Sequence, residues 1–209
     1  RDGCPLVKQA NMSDEEYRWL LGQVLSLPRS ILNSPRDAAI VRIDYDNARI
    51  DMSGSCVSCG ASNEWKGVRL FITESLMCSA CGRRHTALIP DEIMQRVGNA
   101  VDRLLAQFGK VAFWGINSYF YAFVEKTHVD ARDGVFFIDA SEVRQGVAVG
   151  SRKIAPPAII EEEGIRCVVV AVVQYFASLK DPIEKSHRSV EKVFSIADLL
   201  ADERPAESE

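Results

Sequence analysis

Two cysteine pairs, Cys56-Val57-Ser58-Cys59 and Cys78-Ser79-Ala80-Cys81, stand eighteen residues apart, each followed by a glycine, Gly60 and Gly82. This C-x2-C-x18-C-x2-C spacing constrains the fold more than any other feature of the chain. Each pair predicts a tight knuckle with two thiolates facing one point, and four thiolates in a tetrahedron suit Zn²⁺. The glycines fit, because a knuckle turn needs a residue that tolerates positive φ. Four cysteines leave no open coordination position, so the expected metal is structural. Two disulfides or plain buried thiols are the alternatives. His85, four residues past Cys81, could in principle replace a thiolate, but four cysteines leave it no required role.

Six cysteines in all, four in a metal-type spacing and two apart (Cys4, Cys167), suit a reducing cytoplasm better than a disulfide framework. Cys167 lies in an apolar run and reads as an inert core thiol. The net charge of −4 argues against a general nucleic-acid binder. Residues 56 to 90 hold Lys66, Arg69, Arg83 and Arg84 against Glu64 and Glu74, an excess that reads as a solvated face. The longest apolar run, Val168 to Val173, is strand-sized, so no membrane span is expected. The opening Arg1-Asp2-Gly3-Cys4-Pro5 lacks both an initiator Met and the apolar stretch of a secretory leader. It is expected of a piece of a longer protein or of a processed end.

Along the chain, Ser13-Asp14-Glu15-Glu16 predicts a capping box, followed by a helix up to Pro28. Ile40, Val41 and Ile43, a turn at Asp46-Asn47, then Ile50 and Met52 predict a β-hairpin. Residues 1–54 thus form a helix and hairpin. Residues 55–90 form a zinc ribbon, with Val68 to Ile72 as the strand between knuckles. Ile93, Met94, Val97, Val101, Leu104, Leu105 and Phe108 line one face of a bridging helix over 91–109, capped by Gly109.

Beyond Gly109 the texture alternates. Strands are expected at Val111–Trp114, Val135–Ile138, Cys167–Val172 and Lys192–Ile196. Helices are expected at Ser118–Lys126, Ala158–Glu163 and Asp181–Val190, with a loop containing Gly146 and Gly150 between the second strand and Pro157. Alternation of this kind implies a parallel sheet over 110–200; an acidic tail, 201–209, follows. The predicted fold class is α/β, a zinc ribbon followed by a Rossmann-like parallel-sheet domain.

Open parallel sheets bind ligands beyond the C-terminal ends of their strands, near a helix N-terminus. Here that place is Gly115-Ile116-Asn117-Ser118. Asp139 ends the second strand 24 residues after Gly115, close to the interval at which an acidic residue meets a ribose hydroxyl. The full G-x-G-x-x-G pattern is replaced by Gly115, Asn117 and Phe120. That composition favours a smaller nucleotide, a nucleotide sugar or S-adenosylmethionine over a dinucleotide. The alternative is a strand–turn–helix junction without a ligand, in which Asp139 holds a loop. Trp114, Tyr119 and Tyr121 suit core packing better than base stacking. Nothing in the sequence sets His128 or His187 beside a nucleophile.

The segment from Gly109 to about Leu200 resembles the Rossmann-like C-terminal domain of sugar C-methyltransferases. It also resembles accessory modules of surface-polysaccharide and radical S-adenosylmethionine enzymes. The resemblance rests on Gly109-Lys110-Val111-Ala112-Phe113-Trp114-Gly115, Ile138-Asp139, Arg144-Gln145-Gly146 with Gly150, Ile154-Ala155-Pro156, and Val168 to Val172. It implies an accessory domain beside a catalytic domain of the same or another chain. The ligand would be of nucleotide type, held by Gly115, Asn117, Ser118, Asp139, Gln145 and Gly146. A stand-alone nucleotide- or S-adenosylmethionine-dependent transferase, and a zinc-ribbon adaptor for nucleic acid or protein, are the other readings.

Overall fold

A computed structural model of the protein describes residues 13, 15, 35–72, 75–86 and 89–201. The expected N-terminal helix, beyond residues 13 and 15, and the tail 202–209 lie outside them. Three antiparallel strands open the described chain: β1 (Arg36–Asp44), β2 (Arg49–Ser55) and β3 (Ser62–Arg69). The β1–β2 turn is held by Asp44, whose carboxylate accepts from the Asn47 amide and side chain at 3.2 and 3.0 Å. A second small sheet pairs β4 (Ser75–Met77) with β5 (Arg84–Thr86). Trp65 of β3 donates its indole N–H to the Met77 carbonyl at 3.0 Å and so ties the two sheets together.

The strand expected at Val68 to Ile72 lies earlier. β3 ends at Arg69, and residues 70–72 turn, with Phe71 at φ 60°. The apolar run is real, but Leu70 and Phe71 serve the core from a turn, both only 2% exposed.

Helix α1 (Asp91–Phe108) follows, closed by Gly109 at φ 75°, a conformation that costs glycine little. It leads into a six-stranded sheet: β6 (Val111–Trp114), β7 (Val135–Ile138), β8 (Ala148–Val149), β9 (Arg152–Ala155), β10 (Cys167–Val170) and β11 (Lys192–Ser195). The spatial order is β11-β10-β6-β7-β9-β8, parallel throughout except for the β8–β9 pair. Counting only the parallel strands in chain order, this is 3-2-1-4-5, the Rossmann-like order. Helices α2 (Ser118–Thr127), α3 (Ile159–Glu162), α4 (Phe176–Ser186) and α5 (Asp198–Ala201) complete the described chain. The protein is therefore a mixed α/β structure, with a mostly parallel sheet behind a cysteine-bearing N-terminal part.

Alternation along the strands sorts the core into two layers. Val111, Phe113, Val135, Phe137, Cys167 and Val169 point to one face, with residues of α1, α2 and α5. Ala112, Ile138, Val168 and Val170 point to the other, with Ile160 of α3 and Ile183 of α4. Both faces are dry, as a parallel sheet requires. The first layer does not stop at the sheet. It runs unbroken through Ile93, Met94, Val97 and Val101 of α1 to Ile50, Met52, Val68, Leu70 and Phe71.

The loop expected around Gly146 and Gly150 contains the β8–β9 hairpin. Its turn rests on Asp130, 9% exposed, whose carboxylate accepts from the Ser151 amide at 2.6 Å. Burial pushes this carboxyl up, but hydrogen bonds from the Ser151 amide and hydroxyl outweigh it and hold the group below the ordinary aspartate range. A depressed carboxyl stabilises the fold above its unfolded-state pKa, and that contribution is lost as pH falls through the folded-state pKa. Asp130→Asn is expected to cost about 1.5–3 kcal/mol at pH 7. The gap to the unsubstituted protein should close in denaturant titrations as pH drops below the aspartate range. A gap constant with pH would show that the charge contributes nothing.

Helix α4 begins at Phe176, five residues before the expected start, and carries Pro182 inside it. The short 3₁₀ turn Val173–Tyr175 feeds it directly.

Candidate functional site

The two knuckles are copies of one another. In the first, Cys56 N donates to Ala61 O and Gly60 N to Cys56 O, both at 2.9 Å. In the second, Cys78 N donates to Arg83 O at 2.8 Å and Gly82 N to Cys78 O at 2.9 Å. Gly60 and Gly82 have φ of 73° and 71°, the left-handed turn that the spacing predicts. The knuckles sit at the β2–β3 and β4–β5 turns, so sheet pairing brings them face to face.

All four sulfurs lie within 4.8 Å of one another. The closest pairs cross between knuckles, Cys56–Cys81 at 3.6 Å and Cys59–Cys78 at 3.7 Å. Tetrahedral Zn–S bonds of about 2.3 Å give sulfur–sulfur edges of about 3.8 Å. The cluster can hold a metal ion, and its size and all-sulfur donors are compatible with structural zinc.

The surrounding groups favour thiolate. Burial pushes the Cys56 thiol up, but the amides of Cys59 and Ser58, with His85, hold it down at about 6. The Cys78 thiol is also lowered, first by the amide of Cys81. Cys81 moves the other way, to about 12: the Arg83 amide pulls it down, but the sulfurs of Cys59, Cys56 and Cys78 push it up. Four thiols this close resist joint ionisation unless a cation sits among them. His85 acts on Cys56 rather than as a fifth ligand, buried at 2% exposure with its ring 6.1 Å from that of Trp65. Asn63 donates to the Cys78 sulfur at 3.5 Å while its oxygen accepts from the Ser79 amide at 2.8 Å. Outer contacts of this kind orient metal ligands. Asn63 carries no sequence signal, since these partners are fifteen and sixteen residues away.

The second candidate lies at the C-terminal ends of β6 and β10, where the strand order reverses. Gly115 has φ 83°, and a Cβ there would run into Cγ2 of Val172, just past β10. Asn117 caps α2, its side-chain oxygen accepting from Phe120 N at 3.0 Å. Ser118 opens that helix. Asp139 ends β7 at 9% exposure. Its Oδ1 accepts from Ser141 N at 2.9 Å, and its Oδ2 from Ile116 N at 3.3 Å and Arg144 Nη1 at 3.3 Å. Arg144 Nη1 also donates to the Ile116 carbonyl. Gln145 donates to the Asp139 carbonyl at 3.2 Å. Gly146 N pairs with Ile154 O at 2.8 Å at the sheet edge.

The expected residues thus fall into two groups. Gly115, Asn117, Ser118 and Asp139 gather at the strand ends. Gln145 buttresses Asp139 from behind, and Gly146 belongs to the turn into β8. Arg144 and Val172 complete the crevice, and neither stands out in the sequence as a site residue. Arg144 reaches Asp139 from a loop, and Val172 meets Gly115 from the segment just past β10, made later in the chain. No protein-family model, curated protein or solved structure matches the chain.

Proposed function

We propose that the protein is a zinc-ribbon accessory module whose Rossmann-like domain takes a nucleotide-type ligand at the β6–β10 switch point. In this reading it works beside a catalytic domain, of the same or another chain, of the methyltransferase or radical S-adenosylmethionine type acting on sugars or natural products. The observation that supports it is the 3-2-1-4-5 strand order, with Gly115 and the start of α2 at the point where the order reverses. Zinc in this reading is structural, because four sulfurs complete a tetrahedron.

A binding role also accords with the histidines. His128 caps the C-terminal end of α2, and His187 meets Trp114 edge-on with ring centroids 5.9 Å apart. Among the described residues, neither side chain hydrogen-bonds a serine, threonine or cysteine. A general base already paired with its nucleophile would make such a bond.

The test is a thermal-shift series on the zinc-loaded protein with S-adenosylmethionine, S-adenosylhomocysteine, NAD and nucleotide sugars. A ligand at a hundred times its Kd adds about 2.7 kcal/mol, or roughly 5–10 °C for a chain of this size. A saturable rise with one class supports the reading and identifies the class. A flat series would favour an adaptor role for the zinc-bearing half.

A further inference from the structure

The crevice differs from a ribose-binding site in the sign of the group that it presents. A ribose diol is received by a carboxylate at the end of the second parallel strand. Asp139 stands at that position, but its oxygens are taken by two backbone amides and by Arg144. Beside it, Arg144 keeps 36% of its side chain exposed. Arg144 spends only Nη1 on protein partners, Ile116 and Asp139. Its N–H groups on Nε and Nη2 make no protein hydrogen bond among the described residues.

A second group lies within electrostatic reach of Arg144 and Asp139. The Tyr121 hydroxyl, on the first turn of α2, is buried and has no hydrogen-bond partner, and the residue is 8% exposed. Burial pushes this phenol up to about 12, with Arg144 opposing and Asp139 adding to the shift, so it stays neutral and able to donate. The N-terminus of α2 adds its positive end. A buried phenol without a partner calls for an acceptor close by.

Building on the nucleotide-type reading, we propose that the crevice selects a phosphate ester at the position where related sheets accept a free ribose diol, and that Arg144 is the specificity-determining residue. Arginine suits this role, because its planar fork can give two parallel N–H bonds to phosphate oxygens while one edge stays anchored. Asp139 then serves as a positioning residue: it fixes the guanidinium and ties the loop after β6 to the loop after β7.

The experiment is calorimetric titration of the zinc-loaded protein with adenosine 2′,5′-bisphosphate and with adenosine 5′-monophosphate. The bisphosphate is expected to bind about ten- to a hundredfold more tightly, the range for a hydrogen bond to a charged group. Arg144→Met, which keeps the stem and removes the fork, should bring the two ligands within about twofold, and Arg144→Lys should restore only part of the preference. Equal affinity for both ligands in the unsubstituted protein would overturn anion selection and leave the nucleotide-type reading standing. That comparison requires no variant to fold. Binding of neither, together with a flat ligand series, would overturn both. A preference that survives Arg144→Met would remove Arg144 from the role.

Discussion

Replacing Cys78 by serine is expected to abolish metal binding and to unfold residues 49–86, while the six-stranded sheet survives with a lowered melting midpoint. Cys78 is 1% exposed and supports both its own knuckle and the Asn63 contact, so its loss removes a buried ligand and a knuckle bond together. The sheets that carry the knuckles are small. β4 and β5 pair over three residues each, and units of this size usually need a metal or a cross-link. Structural zinc contributes about 10–16 kcal/mol in zinc-finger peptides near pH 7, comparable to the roughly 5–15 kcal/mol that holds a whole domain. Because Ile50, Met52, Val68 and Phe71 share a core with α1, their loss also strips one side of that helix. Metal analysis and hydrogen exchange would report both effects. Full metal content in the variant, or unchanged exchange protection over 49–86, would refute the structural role.

Gly115→Ala is expected to destabilise the protein by about 2–5 kcal/mol. A left-handed φ costs a non-glycine residue about 1–2 kcal/mol, and forcing a methyl group into a packed site costs roughly 1–3 kcal/mol more. The obstacle is a methyl group of the branched, stiff Val172. The two contributions are separable. In a Val172→Ala background the steric part should vanish, leaving only the conformational cost of about 1–2 kcal/mol. Denaturant unfolding of the four proteins of this cycle gives the coupling directly. A coupling near zero would mean that the loop after β6 relaxes away from β10, and that the crevice is looser than its packing implies.

The cysteine spacing and the apolar strands were legible because each signal is local. Val111–Trp114 and Val135–Ile138 are short apolar runs bounded by glycine or polar residues, and each forms a buried parallel strand; β10 forms in the longer apolar run and ends at Val170, two residues before the expected Val172. Strand β9 was not legible, because Arg152-Lys153-Ile154-Ala155 buries only Ile154. Near the sheet edge a polar strand and a polar loop look alike. Strand β3 was displaced for a related reason. Ser62–Arg69 buries only Asn63 and Val68, while the more apolar Leu70 and Phe71 lie in the turn beyond it. At the crevice, the glycine, the cap and the acidic strand end were all readable from position. Their engagement was not. Whether Asp139 faces a ligand or a guanidinium depends on where a loop five residues on places Arg144.

The strand order also imposes an order in time. The first strand of the large sheet to be synthesised, β6, takes the central place, and its second neighbour β10 comes about fifty residues later. At about 5–20 residues per second, β6 leaves the ribosome with one flank bare for roughly 3–10 s. Parallel pairings between distant segments are slow to form even after that. During this interval Val111, Ala112 and Phe113, fully buried in the finished protein, lack β10, β11, α4 and α5 as cover. The nascent chain is therefore most exposed to misassociation just before Cys167–Val170 is made, and a truncation that stops short of β10 would hold the protein in that state permanently.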